Sequence, residues 1–564
     1  QTYNFVAHGD ILEYSTLPTY LVPGDALDVA VFITSPGSEP VDYRVTETVT
    51  GNVPPFYGKG GGPNVIHVRT GADCKMDGSN WMDAYPDLRT ALASAPDASK
   101  TEIWLSVTND YMNASVTLVG SITVRGGFTG VENSAAERPE GLLSTLDGVS
   151  SNYKTMDFSV PSGALLTVER IRFSHSSGPG LRKTGSGDLT VRDCYFTDRK
   201  QSDWNLLGGG IYASGGTVSV ANCQFVHLID YSVNALSYNS YGGDGIYLSS
   251  CTQAYIDDCL FATNGIQFYR NKGAQARHPG SAVYVNATPT IFRNCRFASN
   301  GSAVMEQTGC GGAVFFNGAC GGSKMINCTL VGNADFEGSQ SSAEAYGGGA
   351  VYCLMSSAAA TLDIENCTIA YNLTQGKWNA AGITIGTGTV NLKNSIVYGN
   401  VRGWKPYTNA AGADIAVRSK GVLNLSYSLV TGPGTNFISV VEGGVTNIGP
   451  GVIYGDPRMV STNDFRTLFT DGGTYWYLNG NAVRAKCAAL DAHLRGITGY
   501  LVDGRLFKYE ENSPAIDAGD PKSDFHGEPD CNIGWHGKRV NMGAYGNTPE
   551  AAMTALPGFL FIVR

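Results

Sequence analysis

A single row of residues returns along this chain, and it restricts the fold more than any other feature. The row reads "TVRDCYFTDR" at Cys194, "VANCQFVHL" at Cys223, "IDDCLFATN" at Cys259 and "FRNCRFASN" at Cys295. It continues as "MINCTLVGN" at Cys328, "IENCTIAYN" at Cys367 and "LKNSIVYGN" at Ser395, with weaker rows around Ile171 and Ser428. Three residues before each anchor stands an apolar residue, such as Val191, Ile256 or Ile364, and two after it another, such as Phe196, Phe261 or Ile369. The flanks alternate with period two, which is the signature of strands. The phase changes at the anchor, so a two-residue corner separates two strands there. It holds Asp193, Asn222, Asp258, Asn294, Asn327, Asn366 and Asn394, and five residues past the anchor comes Asn264, Asn300, Asn333, Asn372 or Asn400.

A second signature precedes each row: "GGGIYAS" (208–214), "GDGIYLS" (243–249), "GSAVYVN" (280–286), "GGAVFFN" (311–317), "GGGAVYC" (347–353), "AAGITIG" (380–386) and "GADIAVR" (412–418). Each unit is therefore a Gly-rich strand, a second strand, an Asx corner and a third strand. Successive anchors lie 23, 29, 36, 36, 33, 39, 28 and 33 residues apart. Strand lengths hold steady, so the extra residues fall in one connection, between the last strand of a unit and the next Gly-rich strand. Short strands that each pair with their copy one rung along predict an all-β chain, a right-handed parallel β-helix of the pectin-lyase-like solenoid type.

That stacking explains the row. Asn tolerates the bent backbone of a corner, and stacked amides can bond along the axis as a ladder. The Cys is a small inward residue. Rungs about 4.8 Å apart keep same-facing Cβ atoms beyond the roughly 3.8 Å that a disulfide prefers. Cys194, Cys223, Cys259, Cys295, Cys328 and Cys367 are thus expected to be buried free thiols. Disulfides are open only to cysteines outside those rows, Cys487 with Cys531 and Cys310 with Cys320.

The pairing of "GGAV/GGGI" strands with "C-x-F-x-x-N" rows resembles the repeats of chlamydial polymorphic membrane proteins and of many secreted bacterial β-helix proteins. "NVIHVRTGADCKMDGSNWMDAYPDLRTALASA" (64–95), "ITVRGGFTG" (122–130) and "STLDG" (144–148) look like the entry segment of such proteins. "NSPAIDAGDP" (512–521) and "VNMGAYG" (540–546) look like their closing segment. The resemblance implies a β-helix over roughly 64–548 and does not fix an activity.

The expected organisation is a β-strand module at 1–55, a linker at 56–63, the entry and cap at 64–150, regular rungs at 151–450, further rungs and the closing cap at 451–548, and an apolar tail at 549–564. Pro86, Asp87 and the face made by Leu88, Ala91, Leu92 and Ala95 predict a short capping helix over the open end of the coil. In the tail, "LPGFLFIVR" carries Phe559, Leu560, Phe561, Ile562 and Val563, which either form a final rung or pair with a neighbouring molecule's edge.

Of 564 residues, 72 are Gly, and the net charge of −10 argues against a nucleic-acid partner. No apolar run reaches 18 residues, so no membrane span is expected. Gln1 in place of Met suggests a leader already removed, which points to a secreted or cell-surface protein.

The search for chemistry is thin. Asp257 and Asp258 are adjacent, but one is a corner residue and its neighbour points elsewhere. The loop 268–280 gathers Arg270, Lys272, Arg277 and His278, which reads as a solvated or polymer-contacting loop before a lyase centre. His175 and His227 read as satisfied residues at strand ends. No cofactor is expected. The only candidate for Ca²⁺ is the closing segment, with Asp517, Asp520, Asp524, His526, Glu528 and Asp530, whose spacing matches no EF-hand and reads as a capping turn. All variable connections leave one corner and carry Trp204, Tyr231, Tyr238, Tyr241, Phe268, Tyr269, Phe336, Tyr346, Trp378, Trp404 and Tyr407, a face on which sugar rings or a protein would dock. The expected function is a non-catalytic structural or adhesive surface protein that self-assembles through terminal strands. The alternatives are a carbohydrate-active enzyme or a glycan-binding β-helix. The expected partners are copies of itself or a cell-surface polysaccharide.

Overall fold

A computed structural model describes the backbone strands at Ala7–His8, Ile11–Leu12, Ala26–Ile33 and Val41–Thr48. It then describes residues 64–72, 75–94, 102–107, 114–147, 156–176, 178–198, 208–230, 242–267, 278–304, 309–310, 312–337, 348–374, 379–402, 413–433, 437–441, 443–457, 514–528, 539–549 and 551. The chain divides into two units, one of residues 1–109 with 124–144, the other of 110–123 with 145–564.

The first unit contains the antiparallel pair Ala26–Ile33 and Val41–Thr48, in register Ala26↔Thr48. Val65–Val68 pairs in parallel with Glu102–Ser106. The helix forms at Leu88–Ser94, and Asp87 caps it by accepting the Thr90 N–H at 2.8 Å. Leu88, Ala91 and Leu92 are buried, and the helix lies against the Val65–Val68 strand. Around His67, Trp81, Trp104 and Phe128 form an aromatic core, with Trp104 and Phe128 stacked at 4.5 Å.

The second unit is a right-handed parallel β-helix. A representative coil runs Ile246–Ser249, Gln253–Asp257, Leu260–Ala262 and Gly265–Gln267. Each strand pairs in parallel with its copy in the next coil, in register Ile246↔Val283, Ala254↔Thr290, Leu260↔Arg296 and Gly265↔Gly301. The repeat thus holds four strands in its central coils where the sequence pattern indicates three. The fourth builds its own six-stranded sheet, from Ile229–Asp230 to Val401–Arg402. It is only two to four residues long and too short to show an alternation.

The corner is as expected. Asp193, Asn222, Asp258, Asn294, Asn327, Asn366 and Asn394 all have φ between 49° and 55°, the left-handed region that Asn and Asp enter at least cost among residues with a Cβ. Behind each, the anchor points inward. Cys194, Cys223, Cys259, Cys295, Cys328 and Cys367 are buried free thiols. Cys295 Sγ lies 3.2 Å from the Ile256 carbonyl oxygen, and Ser395 continues the column by accepting the Cys367 N–H at 3.1 Å. Burial pushes the thiols of Cys194, Cys259, Cys295 and Cys367 well above their ordinary value. Beside them Phe173, Phe196, Phe225, Phe261 and Phe297 stack at 4.6 to 4.8 Å with rings within 4° of parallel.

The buried amide ladder stands at the second turn, built from the Asn five residues after the anchor. Asn264 Nδ2 donates to Asn300 Oδ1, Asn300 to Asn333, Asn333 to Asn372 and Asn372 to Asn400, each at 2.9 Å. The other amide proton of each goes to a carbonyl one coil back, as from Asn300 to Phe261 at 2.9 Å. Each interior Oδ1 also accepts a backbone N–H, so every ladder amide is saturated. The first corner carries a shorter, exposed version, with Asn294 Nδ2 donating to Asp258 at 3.1 Å.

Lys183 is the one fully buried cation inside the coil among the described residues. Its ammonium donates to the carbonyls of Gly185 (2.8 Å), Ser214 (3.1 Å) and Gly215, which uses all three protons. Burial lowers its pKa from the ordinary value.

Candidate binding face and closing segment

Side chains that alternate inward and outward leave two outer faces in which residue type repeats along the axis. On the first strands, the outward position is Asp157, Arg182, Tyr212, Tyr247, Tyr284, Phe315, Tyr352 and Thr384 in successive coils, each in register with the next. Arg182 binds Asp157 at 2.9 Å and lies 5.4 Å over the Tyr212 ring. The rings then continue at 5.5, 4.8, 5.4 and 4.8 Å. Tyr212 is half-buried, and Tyr247, Tyr284, Phe315 and Tyr352 are buried. Asn317 Nδ2 joins the column by donating to the Tyr284 hydroxyl at 2.9 Å and to Asn286 Oδ1 at 3.1 Å. Burial raises the Tyr247 phenol above its ordinary pKa. These aromatics stand inside the quoted Gly-rich strands, one or two residues past the Gly or Ala run. That placement was the signal that could have found them.

The column borders the edge where each fourth strand hands over to the next first strand, across connections of variable length. The expected contact residues Trp204, Tyr231, Tyr238, Tyr241, Phe268, Tyr269, Arg270, Lys272, Arg277, Tyr346, Trp378, Trp404 and Tyr407 lie outside the described residues. Phe336 and His278 are placed by backbone only, His278 in a short strand paired with Gly309–Cys310.

The second strands present a polar face whose charges pair along the axis. Glu169 pairs with Arg192, Asp257 with Arg293 at 3.1 Å and Lys324 with Asp363 at 3.7 Å. Asp257 is thereby spent on a column neighbour while Asp258 holds its corner. His175 is satisfied by Asp147 at 2.8 Å.

The described residues of the closing segment dock on the flank of the coil. Asn327 Nδ2 donates to the carbonyls of Ala544 (2.8 Å) and Gly546 (2.9 Å), and Asn366 Nδ2 donates to Gly546 (2.9 Å). Asn394 accepts the Asp520 N–H at 2.7 Å and donates to Ser523 Oγ at 2.9 Å. The corner amides of Asn327, Asn366 and Asn394 thus become its receptor. Below them the outward residues Val331, Ala370, Ile396 and Leu429 pack against Ala515, Met542 and Ala544.

Of the acidic groups considered for Ca²⁺, Glu528, Asp520 and Asp524 have other partners, and Asp530 lies outside the described residues. Glu528 Oε1 accepts the N–H groups of Asn541 and Asn547, and Asp520 pairs with Lys393 at 2.7 Å. Burial pulls the Asp520 carboxyl up, but the hydrogen bond from Lys393 and its charge hold it below the ordinary range. Asp524 pairs with His526. No group of three or more His, Cys, Asp or Glu converges among the described residues. Cys320 is a free, buried thiol 2.9 Å from the Asn317 carbonyl oxygen, so it makes no bridge to Cys310. Cys487, Cys531 and residues 559–563 lie outside the described residues. No helix is long and apolar enough to cross a membrane.

Residues 149–330 match the family model described as right handed beta helix region, a stretch that ends at the Cys328 row. No curated protein matches the chain.

Proposed function

We propose that this β-helix is a secreted structural or adhesive surface protein that assembles with copies of itself through its terminal β segments. One observation supports the reading most directly. The last described coil, Ile438–Val440, Val445–Ile448 and Ile453–Tyr454, leaves Val440, Val445, Ile448 and Tyr454 exposed by 44% to 50%, whereas Val417, Leu425 and Val430, the partners of three of them one coil back, are buried. Large apolar groups gathered at one end of a parallel stack favour continuation by another strand or another molecule. Charges paired with their axial neighbours suit a structural surface better than a convergent acid–base pair. The double substitution V445K/I448K tests the proposal, since both side chains are exposed, with unchanged circular dichroism showing that the coil is intact. Light scattering across a concentration series should show assembly by the native chain and its loss in the variant. Equal behaviour of the two would overturn the reading.

A glycan-binding β-helix is the second reading, favoured by the half-buried Tyr212 ring at the head of the aromatic column and by the partly exposed amides of Asn286 and Asn317. Binding in a glycan screen that is lost in N286A/N317A would support it over the first.

A further inference from the structure

The closing segment has the construction of a separable docking module. Among the described residues, 514–528 and 539–549 form turns and add no strand to any sheet of the coil. Its attachment consists of side-on contacts: amide-to-carbonyl bonds at Asn327 and Asn366, the two-way exchange with Asn394, the Lys393–Asp520 pair at 2.7 Å, and the Ala544 N–H to Thr368 Oγ1 at 3.1 Å. The partners are 126 to 219 residues apart in sequence. Residues 458–513 join the last described coil to the segment.

The receptor is specific within the repeat. Corners 327, 366 and 394 are all Asn, and two residues past them stand Thr329, Thr368 and Ile396, with Thr368 and Ile396 buried. At earlier coils the corner is Asp193 or Asp258, which offers no proton to the carbonyls of Ala544 and Gly546, or it is Asn222 or Asn294, whose amides donate to those carboxylates and which are followed by Gln224 and Arg296. The full set of contacts is therefore offered only along 327–394.

A fully extended 56-residue connection reaches at most about 3.3–3.6 Å per residue, far beyond the width of a coil. For a connection of this many residues, intramolecular docking corresponds to an effective concentration of at most roughly millimolar. Nothing in the contacts distinguishes its own coil from that of a neighbour. Exchange of an identical element between copies is a low-cost route to association.

We propose that the closing segment is a self-recognition module. It docks on its own coil in an isolated chain and on the Asn327–Asn394 corner of a second copy when chains are crowded, so that neighbours latch flank to flank. This link is independent of the end-on assembly proposed above.

Two full-length single variants, T368C and A544C, test the proposal when mixed and oxidised. The expected product is a covalent heterodimer, with mass spectrometry placing the bridge at 368–544. It should be scarce at micromolar protein and rise at least tenfold as protein approaches millimolar, or after joint unfolding and refolding. The double variant T368C/A544C should close intramolecularly in dilute solution, which shows that the site is formed. Intramolecular closure without any heterodimer, at high concentration and after refolding, would overturn the exchange. No closure in either format would overturn the docking itself. Adding V445K/I448K to both chains should leave the heterodimer unchanged and separates this link from the end-on one.

Discussion

Asn400 donates from Nδ2 to Oδ1 of Asp414 at 2.7 Å, and its backbone N–H reaches the same oxygen at 3.3 Å. The amide ladder therefore ends on a buried carboxylate. In the following coil the position five residues past the Ser428 anchor is Pro433, which offers no amide, and Asp414 fills the gap from the start of a first strand. Burial pushes its pKa to about 6, against hydrogen bonds from Thr431 and Asn400 that pull it down.

That shift sets a sign. Between about pH 4 and 6 the folded protein holds a proton at Asp414 that the unfolded chain has released, so this group lowers stability as pH rises through the window. A shift from 3.8 to about 6 corresponds to on the order of 3 kcal/mol once both forms are ionised. Asp414→Asn keeps an acceptor for Asn400 and removes the charge. It is expected to melt higher than the native chain at pH 7 and to match it near pH 4, as read by calorimetry across pH.

In mid-ladder, Asn333→Ala takes the partner from three buried groups at once, the N–H and the amide of Asn300 and the Phe297 carbonyl, and leaves Asn372 Oδ1 with only the N–H of residue 333. An unsatisfied buried polar group costs roughly 1–3 kcal/mol, so a loss of at least about 3 kcal/mol is expected. Asn222→Gly at the exposed corner keeps the positive φ and should cost under about 1 kcal/mol. Denaturant midpoints of the two variants check the contrast.

The cysteine columns are packing, and thiol titration reads this directly. Cys194, Cys223, Cys251, Cys259, Cys295, Cys320, Cys328, Cys353 and Cys367 are expected to stay unreactive toward a polar thiol reagent in the folded protein and to react after denaturation. Cys367→Ser should be nearly neutral, because the column already continues as Ser395 and Ser428. Cys259→Leu should cost about 1–3 kcal/mol by overpacking.

Lys183→Met removes the ammonium that donates to the carbonyls of Gly185, Ser214 and Gly215. A destabilisation of about 2–4 kcal/mol is expected from the stranded carbonyls. Lys183→Arg should recover only part of it, since a planar guanidinium cannot aim its protons at the three carbonyls that the compact ammonium reaches.

Met542→Asp places a charge against Ile396 and Leu429 at the docking surface. Hydrogen exchange is expected to speed up in 514–528 and 539–549 while protection of the Cys column strands is retained. Loss of protection throughout the coil would show that the segment is integral to the β-helix.

The rows, corners and inward thiols were legible because each follows from a local alternation repeated at matched positions in successive coils. Cys259 and Cys295 lie in equivalent surroundings and show the same pattern twice. The buried ladder was visible as Asn264 to Asn400, but its role was not. Alternation alone does not say which of two stacked Asn columns faces inward, and the short fourth strand that turns this one in has no pattern of its own. Tyr247 and Tyr284 were overlooked because an aromatic in a strand reads first as core, whereas their register places them outside. The lateral docking at Asn327 and Asn366 had no sequence signal. It joins residues about two hundred positions apart through backbone carbonyls, which any residue supplies.

The most direct test of the structural and adhesive account is light scattering with negative-stain microscopy on the chain with and without residues 556–564. The account predicts ordered polymers from the full chain and their disappearance on truncation. A stable monomer in both forms, at every concentration, would contradict it.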